Sequence, residues 1–298
     1  MEKSEYNSTE DQLLQGAIDL HIHASPNVMK TKVDAIEAAV MARDAGMKAI
    51  VIKDNWFTSA GTAYLVNRIV SGVDVFGGIV LNFGVGGLNP DAVDTALKYG
   101  KGAKIIWMPT SSSMNHLTFF GKKGGLSIFK NGKITTEVRK ILDMIAENNL
   151  VLATGHLSVK EQKTLVKAAV ERGVKKILIN HPELELIGMP ISVQKELAAL
   201  GAFMEYCFVN CTPGITLPIK AYGGVRFNYV EPSKIAKMIR EIGAEHCIMS
   251  TDLGSLRTSP TPVDGMKMFI CAMLELGISE SEIEHMTKIN PSILLYGE

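Results

Sequence analysis

Near the N-terminus, Ala17-Ile18-Asp19-Leu20-His21-Ile22-His23-Ala24 reads as a short buried strand ending in His-x-His. Side chains alternate along a strand, so His21 and His23 project to one side with Cα atoms about 6.6 Å apart. That separation lets two neutral imidazoles converge on one divalent cation from a rigid element. Asp19 has the same parity one step deeper, where it could orient a ligand. Taken alone, the pair also fits a plainer reading, two histidines bonded to each other or to backbone. Later apolar runs, however, also end in His or Asp. His156 follows Leu150-Val151-Leu152-Ala153-Thr154-Gly155, His181 follows Lys176-Ile177-Leu178-Ile179-Asn180, and Asp252 follows Ile248-Met249-Ser250-Thr251. Several histidines plus a carboxylate, with one coordination position open, is the chemistry of catalytic zinc or a similar divalent metal. A water held there becomes hydroxide near neutral pH, and a carbonyl oxygen is polarised.

Residues so far apart in the chain need a fold that gathers strand ends. Apolar runs at 17–23, 47–53, 74–81, 103–108, 150–155, 176–180, 202–208 and 246–251 read as strands. Helix-period segments fit at about 33–45, 60–71, 90–99, 134–148, 158–172, 191–200, 232–242 and 262–277. Near-continuous apolar strands alternating with helices imply parallel pairing with both faces covered. Eight of each predicts an α/β fold, a (β/α)8 TIM barrel, as one domain over 1–298 with a C-terminal helical tail at about 279–296 closing its outside. Prolines at 90, 232, 262 and 291 sit where a first helical turn tolerates them. Ser158-x-x-Glu161 and Ser279-x-x-Glu282 read as capping boxes. In such a barrel His21, His23, His156, His181 and Asp252 all reach one mouth.

With 46% hydrophobic and 21% charged residues, 298 residues are ample for a soluble core, and 31 basic against 31 acidic side chains give no net charge. That balance lacks the basic footprint of a nucleic-acid binder. No signal peptide or membrane-length apolar run is legible, so the expectation is a cytoplasmic protein with no membrane partner. Cys207, Cys211, Cys247 and Cys271 show no C-x-x-C spacing and read as reduced thiols, a metal role for Cys207 and Cys211 being poorly spaced. His246 begins the eighth strand and His285 lies in the tail, so both read as structural. His116, past strand four on the active face, is either a substrate contact or an ordinary loop histidine. Lys53 ends strand two and Glu205 lies within strand seven; each is a candidate site residue, with a structural ion pair as the alternative.

His-x-His on strand one, His on strands five and six, and Asp on strand eight resemble the metal-dependent amidohydrolase superfamily. The resemblance covers nearly the whole chain, including the closing stretch Met286-Thr287-Lys288-Ile289-Asn290-Pro291-Ser292-Ile293-Leu294-Leu295. It implies that His21 and His23 bind a buried metal, that His156 and His181 bind metal or orient hydroxide, and that Asp252 binds metal and shuttles the proton. Two-metal members usually carry a carbamylated lysine or a glutamate at the end of strand four. Here that strand ends Ile106-Trp107-Met108-Pro109-Thr110, with Lys104 at its start. A mononuclear site like those of the deaminase or decarboxylase branches therefore stands beside the two-metal one, with zinc the first choice of ion.

The leading expectation is a metal-dependent hydrolase of an amide, lactone, ester or cyclic C–N bond in a small molecule, with Asp252, His181 and Lys53 catalytic. The alternative is a mononuclear decarboxylase, in which Arg226 and Arg257, on the loops after strands seven and eight, could hold a carboxylate. A non-catalytic ligand-binding relative is the third reading. Long connections at 109–133 and 209–231 follow strand C-termini and are candidate substrate walls. Oligomeric state stays open, a homo-oligomer included.

Overall fold

The chain alternates as the apolar runs predict. In the computed structural model, which describes residues 8–212, 228–255 and 260–297, the strands are β1 (Ile18–Ile22), β2 (Ala49–Ile52), β3 (Asp74–Val80), β4 (Ile105–Trp107), β5 (Phe129–Lys130), β6 (Lys133–Ile134), β7 (Val151–Ala153), β8 (Lys176–Asn180), β9 (Ala202–Cys207) and β10 (Cys247–Ser250). The helices are α1 (Thr9–Leu14), α2 (Ala35–Asp44), α3 (Ala60–Ile69), α4 (Pro90–Lys98), α5 (Met114–Phe119), α6 (Thr136–Glu147), α7 (Val159–Glu171), α8 (Ile191–Ala198), α9 (Pro232–Ile242), α10 (Pro262–Glu275), α11 (Glu280–Glu284) and α12 (Asn290–Leu295).

Eight strands pair in parallel in the order β1-β2-β3-β4-β7-β8-β9-β10, while β5 and β6 form a separate antiparallel hairpin. The sheet closes just beyond the end of β10. Asp252 N–H donates to His21 O at 2.7 Å, and His23 N–H donates to Leu253 O at 2.7 Å. The seam of the barrel thus runs through residues that sequence reading assigns to a metal site. Both capping boxes form, at Ser158–Glu161 and Ser279–Glu282, and all four prolines open helices. Each N-cap of this kind is worth roughly 1 kcal/mol.

Two apolar layers hold the fold. An inner one fills the barrel with Ile18, Leu20, Val51, Trp107, Val151, Leu178 and Ile248. The outer one lies between sheet and helices, and takes Ile22, Ile50, Ile52, Ile106 and Leu152. The tail differs from its expected place outside the barrel wall. Leu294 and Leu295 of α12 join the inner layer and plug the floor. Around that plug Tyr296 donates to Asp74 Oδ2 at 2.5 Å and Lys48 Nζ donates to Ser292 Oγ at 3.2 Å. Asn290 donates to the carbonyls of Ala244 and Cys247 at 2.8 and 2.7 Å, pinning α12 beside the start of β10.

The register on β1 decides which side chains reach the mouth. Asp19 pairs with Ile50 but Ile22 with Ile52, so three steps on β1 answer two on β2. One extra residue in a strand is a bulge, and it reverses the facing of everything beyond it. Ile18 and Leu20 point inward before the slip, His21 and His23 after it. Strict alternation predicts Asp19 on the histidines' face; the slip puts it on the other. Its carboxylate spans the seam, accepting from Thr251 Oγ1 at 2.6 Å, Thr251 N at 3.1 Å and His21 N at 3.1 Å. It anchors backbone, not an imidazole ring.

Candidate metal centre

The mouth gathers the ends of six strands. His21 is the last residue but one of β1 and His23 lies just beyond its end, Lys53 follows β2, Trp107 ends β4, His181 follows β8, Glu205 and Cys207 belong to β9, and Asp252 follows β10. Of these, His21, His23, Lys53, Trp107, His181, Glu205 and Cys207 are buried. His181 and Asp252 both adopt left-handed backbone, φ +52° and +52°. That conformation is uncommon outside glycine and concentrates at functional turns. Gly254 makes the neighbouring turn possible: a Cβ there would lie 1.8 Å from His23 O, at a φ of +100°.

Two imidazoles converge on one carboxylate oxygen. His21 Nε2 is 2.9 Å and His23 Nε2 2.8 Å from Asp252 Oδ1. The three donors lie within 4.8 Å of one another, as do those of a second grouping, His21, His181 and Cys207. Two nitrogens and a carboxylate oxygen form a donor set suited to zinc or a similar divalent ion. The other edge of His21 supports that fit: its Nδ1 lies 3.3 Å from Glu205 Oε2. An imidazole whose Nδ1–H faces a carboxylate keeps Nε2 free for a metal and becomes a better donor.

Glu205 thus has different work from the expected substrate contact. Besides His21 it accepts from Asn180 Nδ2 at 2.6 Å and from Ser250 Oγ at 2.8 Å. Fully buried and with both oxygens engaged, it offers nothing to a substrate. Lys53 meets His21 rather than Glu205, its Nζ 3.0 Å from His21 Nε2 and 5.8 Å from the centre of the Trp107 ring. Trp107 fills the end of β4. His181 lies with its Nε2 3.6 Å from Asp252 Oδ2, and its buried Nδ1 has no hydrogen-bond partner among the described residues.

His156 stands at the edge of this cluster. Its ring lies 5.5 Å from that of His181, but its Nδ1 turns to Nδ1 of His116 at 2.9 Å. His116 itself is buried on α5, in van der Waals reach of Phe120, and faces His156 rather than open solvent. Arg226 and Arg257 lie outside the described residues. Of the long connections, 109–133 is well anchored. Met114 N–H donates to Leu126 O at 2.6 Å, Leu126 N–H to Ser112 O at 2.7 Å, and Ser127 Oγ to Glu161 Oε1 at 2.6 Å. The α5 segment therefore walls the mouth while the β5–β6 hairpin lies outside, against α7. Cys207, whose spacing to Cys211 argues poorly for a metal role, has its Sγ 3.7 Å from His21 Nδ1. Its parity with Glu205 on one strand was the available signal.

Electrostatics follow from this crowding. Burial works against charge on His21, but Asp252 and Glu205 outweigh it and lift the imidazole to about 9. Burial likewise opposes the Asp252 carboxylate, yet His21 and His23 hold it well below the usual range. Burial pushes Lys53 down against the pull of Asp252 and Glu205, and pushes His181 down to about 4. Without a cation, a proton on His21 supplies the positive charge that the carboxylates demand.

Residues 16–205 match the model of a family of unknown function, DUF6282. The chain belongs to that family. No curated protein sequence matches it. Among solved structures, it resembles an amidohydrolase from Pseudomonas aeruginosa at 13% identity, covering 97% of this chain and 99% of that one, with a TM-score of 0.63. A phosphotriesterase homology protein from Escherichia coli, complexed with phosphate in its active site, matches at 15% identity over 94% and 99%, with a TM-score of 0.58. An amidohydrolase from Burkholderia multivorans with bound zinc matches at 13% over 94% and 98%, also at 0.58. At such identities the likeness is one of fold: this DUF6282 member has the amidohydrolase-like barrel.

Proposed function

We propose that the chain is a metal-dependent hydrolase that cleaves an amide, lactone, ester or cyclic C–N bond in a small molecule, working as one barrel domain in the cytoplasm. The observation that carries this is the convergence of His21 Nε2 and His23 Nε2 on Asp252 Oδ1 at 2.9 and 2.8 Å. His21, His23 and Asp252 would hold the ion, with His156 and His181 at its edge; the zinc bound to the Burkholderia multivorans amidohydrolase favours zinc. When bound, the ion supplies Lewis acidity, polarising a carbonyl and lowering the pKa of water.

The chain's own groups do the rest. Asp252 Oδ2, the oxygen not taken up by His21 and His23, is free to accept the proton of an attacking water and return it to the leaving group as the scissile bond breaks. His181 Nε2, 3.6 Å from that oxygen, is placed to steady the proton in transit. Glu205 holds the His21 ring through Nδ1, and Lys53 presents an amine to the carbonyl oxygen or to a substrate anion.

A second reading, a mononuclear decarboxylase, is favoured by one observation: the strand-four end holds Trp107 in place of a bridging ligand, while Lys53 sits in the mouth to meet a carboxylate. Product analysis in oxygen-labelled water separates the two. Hydrolysis puts solvent oxygen into product; release of carbon dioxide without it retires the hydrolase reading. Metal analysis of the purified chain should find about one divalent ion, lost when His21 and His23 are both replaced by alanine. Unchanged metal content in that double variant overturns the site.

A further inference from the structure

The histidine pair at the edge of the mouth carries an inference of its own. His116 and His156 lie nearly coplanar, 12° between planes and 5.1 Å between ring centres, with Nδ1 facing Nδ1 at 2.9 Å. The pair is built, not incidental. Ser113 Oγ, the N-cap of α5, donates to His156 O at 2.9 Å and accepts from His116 N at 3.0 Å. Asn115 Nδ2 also donates to His156 O, at 3.3 Å, and His156 N–H donates to Pro109 O at 3.0 Å. One segment therefore grips both the backbone and the ring of His156.

A hydrogen bond between two Nδ1 atoms needs one proton, no more and no fewer. Either His156 donates and keeps its Nε2 lone pair, or His116 donates and His156 carries its proton on Nε2. Only the first leaves His156 able to hold a cation or accept a proton at the mouth, where its ring lies 5.5 Å from His181. We infer that His116 is a positioning residue: it accepts from His156 Nδ1–H, fixing the ring's tautomer and orientation so that Nε2 presents a lone pair to the site. This rests on the reading of His156 as a member of the metal centre, but the tautomer exists without metal and is tested apart from it. An imidazole held by a partner at its far nitrogen is a stronger metal ligand, and loss of such a partner typically costs 10- to 100-fold in affinity.

The test is nitrogen-15 NMR of the full chain with labelled histidine, first freed of metal and then titrated with zinc. Protonated and unprotonated ring nitrogens differ widely in chemical shift, so each histidine reports its tautomer. In the metal-free protein His156 should already show a protonated Nδ1. His116→Phe should let the Nε2–H form take over and weaken zinc binding, measured against a competing chelator, by about 10- to 100-fold. His116→Gln, whose amide oxygen can accept in the same place, should restore both readings toward the wild-type values. A purely packing role would give the opposite ranking, with Phe tolerated and Gln not. A His156 Nε2–H form in the wild-type chain overturns the inference, and that measurement needs no variant to fold. If Nδ1 is protonated as expected but zinc leaves the His156 signals unmoved, the tautomer assignment stands and the place of His156 among the ligands falls.

Discussion

The mouth and the floor of this barrel are closed by opposite means. At the floor, Leu294 and Leu295 of α12 fill the opening with apolar side chains, and the polar groups beside the plug are neutral or exposed except for the amine of Lys176, buried next to Gly297. At the mouth, His21, His23, Lys53, His181 and Glu205 are all buried, and His181 and Asp252 hold left-handed backbone. The floor is held mainly by apolar contact. The mouth holds buried charge whose pairing is complete only with a cation or a proton supplied, so it costs stability and gains chemistry. One sheet serves both because the bulge in β1 turns His21 and His23 inward only at the upper end.

Substitutions can break or sharpen this contrast. The largest effect is expected from Asp252→Asn, which removes the carboxylate's charge and replaces one of its two oxygens with an amide nitrogen that cannot carry the proton. Turnover of any active substrate should fall by about 10²- to 10⁴-fold. A variant keeping more than a tenth of the activity would take Asp252 out of the reaction. Next, Leu295→Ala at the floor should destabilise by roughly 2–5 kcal/mol, read from denaturant midpoints, with metal content unchanged at temperatures where the chain stays folded. Metal loss there would mean that the two ends are not independent.

Lys53→Met should separate the two demands within the mouth itself. Removing an amine that burial already disfavours should raise the midpoint of the metal-free protein by about 1 kcal/mol, keep the metal and sharply lower activity. A destabilised variant would show that Lys53 pairs better than the contact with His21 Nε2 implies. A further effect is one of pH. His21 is lifted from 6.5 to about 9 in the metal-free fold. Its stabilising contribution is full below about pH 6.5 and is lost as pH rises through 9. Melting temperatures of the metal-free chain should decline over that range, and His21→Asn should flatten the decline. With zinc bound the slope should vanish, since the ion replaces the proton.

Much of this was legible in residue types. Eight apolar runs, four helix-opening prolines and two capping boxes mark the barrel, because each acts through its own neighbours in the chain. His21, His23, His181 and Asp252 are legible for the same reason, standing at the ends of apolar runs. What the sequence hid depends on partners far away. The bulge is a mismatch between β1 and β2, so alternation put Asp19 on the wrong face. Glu205 reads as a substrate contact, but Asn180, Ser250 and His21 occupy its oxygens. His116 reaches His156 only because Ser112 and Leu126 fold the α5 segment back across the mouth. The tail's helical character was readable, but not which end of the barrel Leu294 and Leu295 would seal.

The seam between β1 and β10 has a consequence of another kind. A cylinder made of strands is shut by its last joint, and here that joint is the pair of amides Asp252 N–H to His21 O and His23 N–H to Leu253 O. The residues that would grip an ion are thus also the clasp that turns a curved sheet into a closed wall. An ion at that point would act as a rivet, resisting the parting of the first strand from the last. The place where the wall can first come apart is then the place where the chemistry is done, and loading the site and locking the barrel become one event.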